Sequence, residues 1–388
     1  MKIAVINAGS SSVKFKLFEA KSRSVLAKVT VENIGALGSD ITMSFEGKKT
    51  KDYAVIKNHH EALKQILELL KTYELLLDFS SLYAIGHRVV HGGEDFCSAT
   101  LIDEQVIEKL KTLIHLAPLH NRANLEGILV TRKKAPLVKQ IAVFDTAFHS
   151  KMPEEAYLYA LDYELYEKHK IRKYGFHGTS HSYISRLCAL EMKRDIKELN
   201  IITLHLGNGS SACAIKGGVS IDTSMGFTPL EGLVMGSRSG DIDPAVVFYM
   251  QRELGLSVDE VENILNKKSG VLGICGTNDF KAIVSSKDEK SKLALNIMSR
   301  RVKKYIGAYM ALLGSVDAIV FSGGVGENSA IVRKKILENI GFGIELNGYA
   351  NSSNGKIIST KNSKVQIMVI KTDEELEIVN ECLSFLKS

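Results

Sequence analysis

Three charged residues stand where an anion would be met. Arg88 follows the apolar stretch Leu82-Tyr83-Ala84-Ile85-Gly86-His87 and precedes the turn His91-Gly92-Gly93. Arg238 lies in Met235-Gly236-Ser237-Arg238-Ser239-Gly240-Asp241, and loops this polar sit at the surface and often carry function. Asp145 closes the apolar run Lys139 to Phe144, at the carboxyl end of a strand, where ligands collect in open α/β sheets. Plainer readings exist: a surface ion pair for Arg88, a turn or helix cap for Asp145. His177 and His181, four apart in Tyr174-Gly175-Phe176-His177-Gly178-Thr179-Ser180-His181, raise a metal site. No Glu follows His177 and no third ligand has the right spacing, so a hydrogen-bond donor beside a structural histidine is the better reading.

Around these residues the chain places glycine-rich turns. Ile201 to Leu206 runs into Gly207-Asn208-Gly209-Ser210-Ser211 and returns through Ala212-Cys213-Ala214-Ile215; Ile3 to Ile6 runs into Asn7-Ala8-Gly9-Ser10-Ser11-Ser12 and returns through Val13 to Leu17. Each reads as an antiparallel hairpin whose turn lets backbone N–H groups approach an anion. Either alone is an ordinary hairpin; the pair, half a chain apart, points to a duplicated domain with a phosphate-gripping turn in each copy. A third turn, Ser322-Gly323-Gly324-Val325-Gly326-Glu327-Asn328, stands between the strand Ala318 to Phe321 and a helix expected from about Ser329, a generic nucleotide-binding arrangement.

The elements that must position these residues follow from periodicity. Strands are expected near 24–32 and 40–46, then over 82–86, 139–144 and 365–370, with 217–225 echoing the third strand of the first half. Helices are expected over 58–76, 103–116, 121–134, about 178–192, 244–254, 257–266 and 288–313, the last with a core stripe of Val302, Ile306, Tyr309 and Leu313. Gly270 to Lys281 reads as a polar loop. Thr372 and Glu375 have the spacing of a capping box opening the last helix, and Glu374 in that first turn would offset the helix dipole.

Composition bounds the class. The 388 residues are 45% hydrophobic and 24% charged, enough for two or three folded domains. The net charge of +6 is scattered, which leaves no nucleic-acid stripe and suits small anionic substrates. No apolar run reaches membrane-spanning length and Met1-Lys2 leads into a strand, so neither a membrane span nor a signal peptide is expected. Cys97, Cys188, Cys213, Cys275 and Cys382 show no CxxC spacing, so reduced thiols in a cytoplasmic protein are expected. Two phosphate hairpins, a Gly-rich strand–helix turn and two loop arginines point to phosphoryl transfer, which needs positioning, a divalent cation and positive charge on the moving group. The Walker A pattern and the protein-kinase motifs are absent.

Along nearly its whole length the chain resembles the acetate kinase family. The resemblance is carried by Asn7 to Ser12, Gly86-His87-Arg88-Val89-Val90-His91-Gly92-Gly93-Glu94, Ala117-Pro118-Leu119-His120-Asn121, Phe144 to His149, Tyr174 to His181, His205 to Ser210, Gly236 to Asp241 and Gly324 to Asn328. It implies an α/β fold of two duplicated actin-like (ribonuclease H-like) domains, 1–149 with 371–388 and 150–370, the latter nucleotide-binding, with a nucleotide and substrate cleft between them. It implies reversible phosphoryl transfer from ATP to acetate, Mg²⁺ as the metal with Mn²⁺ an alternative, and a homodimer. On matching positions, Arg88 would bind the substrate carboxylate, and Val90, Leu119, Phe176 and Pro229 would line the acyl pocket. His177 and Arg238 would stabilise the transition state, with Asp145 the family's proton donor and acceptor. Lys14, His205, Leu206, Gly207, Asn208, Gly209, Asp279, Phe280, Lys281, Gly324, Val325, Gly326, Glu327 and Asn328 would hold the nucleotide; Asn7 and Glu374 would serve the metal.

Acetate is already ionised at neutral pH and needs no base, so Asp145 is expected to orient Arg238 or the hydrated metal instead. Two positions depart from the family. Arg122 stands where proline is usual, which is expected to shift the loop carrying Leu119. Lys281 stands where arginine is usual and lacks its planar fork. Rivals are a propionate or butyrate kinase of the same fold, decided by pocket volume, and a nucleotide-switched actin-like protein without an acyl substrate; a sugar kinase lacks a second carboxylate for several hydroxyls.

Overall fold

The first hairpin joins β1 (Lys2–Gly9) to β2 (Ser12–Glu19), paired from Lys2 opposite Glu19 to Gly9 opposite Ser12. In the computed structural model, which describes residues 1–387, it lies in one of two units, Met1–Ala147 with Asp373–Ser388; the other is Phe148–Thr372. The first unit adds β3 (Val25–Glu32), β4 (Ser39–Phe45), β5 (Lys48–Ala54), β6 (Ala84–Val89), β7 (Thr100–Leu101) and β8 (Lys139–Phe144) in the order β5-β4-β3-β2-β1-β6-β8-β7. β6 runs parallel to both β1 and β8. The second unit holds β9 (Asn200–Leu206), β10 (Ser210–Lys216), β11 (Val219–Thr223), β12 (Ala318–Ser322) and β13 (Gln366–Val369) in the order β11-β10-β9-β12-β13. Again a hairpin leads, and β12 lies parallel to β9 and β13. The duplicated α/β core expected from the paired turns is present.

The central strands of both sheets are buried on both faces, while β5 at the edge of the first sheet buries none of its residues, and strand alternation divides the residues between the faces. In β1, Ile3 and Val5 pack with Ile378, Val379 and Cys382 of the helix Glu374–Phe385, while Ala4 and Ile6 pack with Leu63 and Ile66 of the helix His59–Thr72. In β9, Ile202 and Leu204 meet Met298, Val302 and Ile306 of the helix Glu289–Leu313, and Ile201 meets Ile184 and Cys188 of the helix Gly178–Met192. On that second face β9 continues with Thr203 and His205 where β10 carries Ser211. The face turns polar towards the hairpin turn, and the site lies there.

Several expectations need correcting. The two hairpin turns differ: Ser10 and Ser11 link β1 to β2, whereas Gly207, Asn208 and Gly209 link β9 to β10, so the shared letters do not hold matching places. The helix expected from 121 begins at Pro118, whose fixed φ and missing N–H suit a first helical position. Arg122 is therefore an exposed helical residue; no loop shifts there, and the side chain of Leu119 lies outside the described residues. Gly270 to Lys281 contains a short helix Gly270–Cys275 and the start of another, Phe280–Ser285. The turn after β12 is itself helical over Gly323–Asn328, ahead of a helix Ala330–Leu337. The last helix is capped by Asp373, which accepts from Leu376 N at 3.1 Å, and Glu375 pairs with Lys16 instead of closing a capping box. Among the described residues all five cysteines are free, and no helix is long and apolar enough to cross a membrane.

Candidate active site

In the first unit Arg88 reaches past the end of β6 and is gripped from two sides. Its Nε donates to Asp145 Oδ1 at 2.9 Å and its Nη2 to Oδ2 at 2.8 Å, a bidentate fork on the carboxylate that ends β8. Nη1 lies 3.5 Å from Glu374 Oε2 in the first turn of the last helix. Burial opposes the charge on Arg88, and the fields of Asp145 and Glu374 more than reverse this, so its pKa is raised. Burial raises the Asp145 carboxyl above its ordinary value against the pull of Arg88. The expectation for Asp145 is corrected here: the guanidinium it orients is that of Arg88. Beside this pair, Lys16 binds Asp373 at 3.1 Å and Glu375 at 3.0 Å. The group thus sets four carboxylates against two cations and is short of positive charge.

That imbalance bears on the metal. Glu374 Oε1 is buried with no hydrogen-bond partner among the described residues, an oxygen with its lone pairs free. Asn7, half-buried on β1, offers a carboxamide oxygen. Among the described residues no three of His, Cys, Asp and Glu gather as a cage. One carboxylate with neutral oxygens, the rest left to water and phosphate, is the donor set Mg²⁺ takes, so these residues fit the ion. Val90 is held through its backbone N–H, which donates to Asn124 Oδ1 at 3.0 Å, and Asn121 brackets His91 on both N–H and C=O. Asn121 stood in a quoted segment without a role, and Asn124 carried no signal beyond its type; both prove to be the pegs of the 90–92 turn. Lys14 is exposed on β2 opposite Asn7.

The second unit builds a different surface. His177 caps the helix Gly178–Met192 in the left-handed region, φ 57°, a costly conformation for a non-glycine residue. Gly175 precedes it at φ 76°, where a Cβ would stand 2.4 Å from Thr223 Cγ2, so only glycine turns the chain into that corner. His177 stacks on His205 with centroids 4.3 Å apart. A Cβ added at Gly209 would stand 3.4 Å from His177 Nε2 and 3.7 Å from Arg238 Nη1, so the hairpin turn, the imidazole and the guanidinium converge. The Arg238 loop is tied to the turn by Gly236 N donating to Asn208 O at 2.9 Å. Arg238 Nη1 has only long contacts, to Pro229 O at 3.4 Å and Met235 Sδ at 3.8 Å. Among the described residues no carboxylate pairs with it, and burial lowers its pKa.

The remaining nucleotide candidates divide. Gly324 N would lie 3.8 Å from a Cβ at Gly207, so the two glycine turns adjoin, while the N–H of Gly207 itself donates to Gly209 O at 3.0 Å. Glu327 is directed elsewhere: its Oε1 accepts from Gly323 N and Thr372 N, both at 3.0 Å, which latches this turn to the chain after β13. Asn328 donates to Gly324 O at 2.9 Å. Leu206 and Val325 are buried and contribute backbone alone, and Gly326 O accepts from buried Arg333. Asp279 caps the helix Phe280–Ser285, Phe280 packs against the core, and Lys281 is exposed. Phe176 is buried, and its carbonyl accepts from His149 Nε2 at 3.0 Å. His181, the structural histidine of the pair, forms the layer behind His177 and His205 with Ser180 and Ser211, which sequence reasoning left unassigned.

Comparison with known proteins gives the family. The model of the acetokinase family matches residues 2–380. An acetate kinase of Sulfurimonas denitrificans is 61% identical, with all of both chains covered, and one of Campylobacter lari is 48% identical, again over all of both. Among solved structures, Porphyromonas gingivalis acetate kinase superposes with a TM-score of 0.94 at 42% identity, covering 99% of each chain. A propionate kinase from Francisella tularensis gives 0.93 at 44% identity, covering 98% of each.

Proposed function

The chain belongs to the acetokinase family, with its duplicated actin-like α/β fold, and from that premise we propose that it moves the γ-phosphoryl group of ATP onto acetate, giving acetyl phosphate and ADP. The observation that carries this is Arg238: a half-buried guanidinium without a counter-ion among the described residues, beside His177 and a glycine turn, is a place made for an anion. The nucleotide phosphates lie along Gly207 to Gly209 and Gly324. Arg238 and His177 meet the charge that spreads over the equatorial oxygens of the moving group. Arg88, held by Asp145, anchors the acetate carboxylate so that one oxygen faces the phosphorus for direct in-line attack. Val90, Leu119, Phe176 and Pro229 exclude larger acids. Asn7 and Glu374 hold Mg²⁺, which when bound neutralises phosphate oxygens. No proton need be taken from acetate, since it is ionised at neutral pH.

A hydroxamate-trapping assay with ATP and a panel of acetate, propionate and butyrate tests the reading. The highest kcat/KM is expected on acetate. The likeness to a propionate kinase makes propionate the second reading, and one methylene is worth only about 1–3 kcal/mol, so a reversed ratio would move the assignment there. ATP binding with no acid-dependent turnover would leave a nucleotide-switched protein.

Small-molecule substrates, a cytoplasmic location and a homodimer complete the proposal. The helix Ala245–Arg252 buries none of its residues and leaves Phe248 53% and Tyr249 59% exposed, an apolar face that a second copy would cover. Sedimentation should show a dimer, and Phe248→Asp with Tyr249→Asp should give a monomer; a wild-type monomer would remove this part.

A further inference from the structure

Behind His177 runs a line of buried hydrogen bonds that the reaction as proposed does not use. His177 Nδ1 lies 2.8 Å from Ser211 Oγ, Ser211 Oγ lies 2.8 Å from His181 Nε2, and His181 Nδ1 lies 2.7 Å from Thr203 Oγ1. Thr203, His181 and Ser211 are each 0% exposed, so water does not complete the line. We propose that this line runs in one direction only, from Thr203 through His181 and Ser211, and fixes His177 as the tautomer with its proton on Nε2, the nitrogen beside Gly209 and Arg238. His181, Ser211 and Thr203 are then positioning residues for the known chemistry. The inference rests on the reading that His177 faces the moving phosphoryl group.

The direction follows from counting protons. A neutral imidazole carries one N–H, and each hydroxyl one O–H. His181 is neutral: burial drives its pKa well below 6.5, and His149 and His205 push the same way. Among the described residues, His181 Nδ1 is the only acceptor recorded for the Thr203 hydroxyl. If Thr203 donates there, the His181 proton is on Nε2 and goes to Ser211 Oγ. The Ser211 hydrogen must then go to His177 Nδ1, and the His177 proton stands on Nε2. The reverse order leaves the Thr203 hydrogen buried without an acceptor, which costs the full desolvation of that donor. A second fixed ring supports the first: His149 Nε2 can only donate to Phe176 O at 3.0 Å, while its Nδ1 takes the Ser220 hydroxyl at 2.8 Å. The peptide entering His177 is thereby held as well.

The consequence is a donor that needs no positive charge. A phosphoryl oxygen requires an N–H at Nε2, and the line supplies one with a neutral ring. Facing His177 are His205, stacked on it, His181 through Ser211, and Arg238 across Gly209. If the line is broken, the neutral ring divides between tautomers, and only the imidazolium, with both nitrogens protonated, restores the donor fully.

Long-range ¹H–¹⁵N correlation on the histidine-labelled enzyme reads the tautomer directly. His177 should be Nε2–H in the wild type and a mixture in Ser211→Ala and in Thr203→Val, two substitutions that preserve shape. Both variants should lose kcat at about pH 8 in proportion to the Nδ1–H fraction, about twofold for an even mixture, with KM little changed, and recover towards about pH 6 as the ring protonates, whereas the wild type stays flat. His181→Gln, whose amide N–H stands for Nε2–H, should keep activity that His181→Leu loses. A wild-type Nδ1–H tautomer, or tautomers unmoved in both variants, overturns the proposal. Tautomers that change as stated with kcat untouched would uphold the line and instead remove His177 from phosphoryl transfer.

Discussion

In the first unit Asp145 N donates to Val89 O at 3.0 Å, and in the second Ile370 N donates to Phe321 O at 3.0 Å. Asp145 and Ile370 therefore hold equivalent places, each just past the outer parallel strand, and Arg88 stands where the second copy has Val320. One copy fills these places with an ion pair, the other with a buried isoleucine and valine. The second copy takes its guanidinium from a loop, Arg238, and among the described residues gives it no carboxylate. The same scaffold thus makes two kinds of cationic site. A guanidinium neutralised by Asp145 and Glu374 is fixed in place, and its work is orientation. One left uncompensated on a half-buried surface keeps its attraction for an arriving negative charge.

The contrast is most exposed by removing each arginine. Arg238→Ala should lower kcat by roughly 10³ or more while leaving Tm unchanged or higher, because a desolvated charge without a partner is lost. Arg88→Ala should mainly raise KM for acetate and should also destabilise the fold by about 3–5 kcal/mol, because Asp145 is left buried and unpaired. Steady-state kinetics and thermal unfolding of the two variants decide it. Near-normal turnover in Arg238→Ala, or an unchanged Tm in Arg88→Ala, would abolish the distinction.

Asp145→Asn sharpens it. If the carboxylate serves only to aim Arg88, the variant should share the raised KM for acetate of Arg88→Ala and in addition lose kcat about 10²-fold, because a guanidinium left in place but mis-aimed holds the anchored oxygen wrongly. The wild-type rate should be flat from about pH 5.5 to 8, since acetate needs no base. A basic limb present in the wild type and missing from the variant would restore a proton-transfer role.

The buried neutral histidines of the second unit also predict how it fails in acid. His149 is pulled down to about 4 by burial, against the Phe176 carbonyl, and buried His181 is lowered as well; in the first unit His87 is pulled to about 4. A histidine whose folded pKa lies below its unfolded value binds fewer protons when folded. For His149 and His87 the contribution is therefore fully present above about pH 6.5 and is lost as pH falls towards about 4, on the order of 3 kcal/mol for each of these two, and buried His181 acts in the same direction. With two such groups against one, hydrogen exchange at about pH 5 should open β9 and β10 before β1 and β6. The opposite order would show that the carboxylates of the first unit govern acid unfolding.

Much of this was legible in the sequence because the signals were local. Apolar runs placed β1, β8 and β9, a glycine turn announced each hairpin, and Arg88, Asp145 and Arg238 stood out as charges at strand ends or in loops with nothing to pack. What could not be read was pairing between distant residues. Arg88 and Asp145 are 57 residues apart, and spacing, which says nothing of strand neighbours, pointed Asp145 to Arg238 or the hydrated metal and gave no sign of the Arg88 guanidinium that it grips. The Glu327 latch has the same cause: a carboxylate in a glycine turn reads as a ligand until its partners, Gly323 N and Thr372 N, are known. The Thr372–Glu375 pattern misled because Asp373 caps better and Lys16 claims Glu375. Short helices such as Gly323–Asn328 lay below what periodicity detects, being under two turns.

The smallest effect concerns Lys281, in the first turn of the helix Phe280–Ser285, where Asp279 Oδ1 accepts from its backbone N–H at 2.9 Å. The carboxylate of Asp279 is occupied in capping and Phe280 leans on the core, so Lys281 is the exposed side chain of the three with freedom to meet a base. An ammonium is a compact, well-hydrated charge and makes no planar stack, whereas a guanidinium stacks and forks. Lys281→Arg should therefore lower KM for ATP by about threefold and lower it less for GTP and ITP, a stacking gain of about 0.5–1 kcal/mol at an exposed site. Neither kcat nor KM for acetate should move, because the side chain is remote from the Arg88 and Arg238 chemistry in kind as well as in sequence. Equal KM values for ATP, GTP and ITP before and after the change would mean that the base is held by the glycine turns alone, and that the second unit recognises phosphate without reading the ring attached to it.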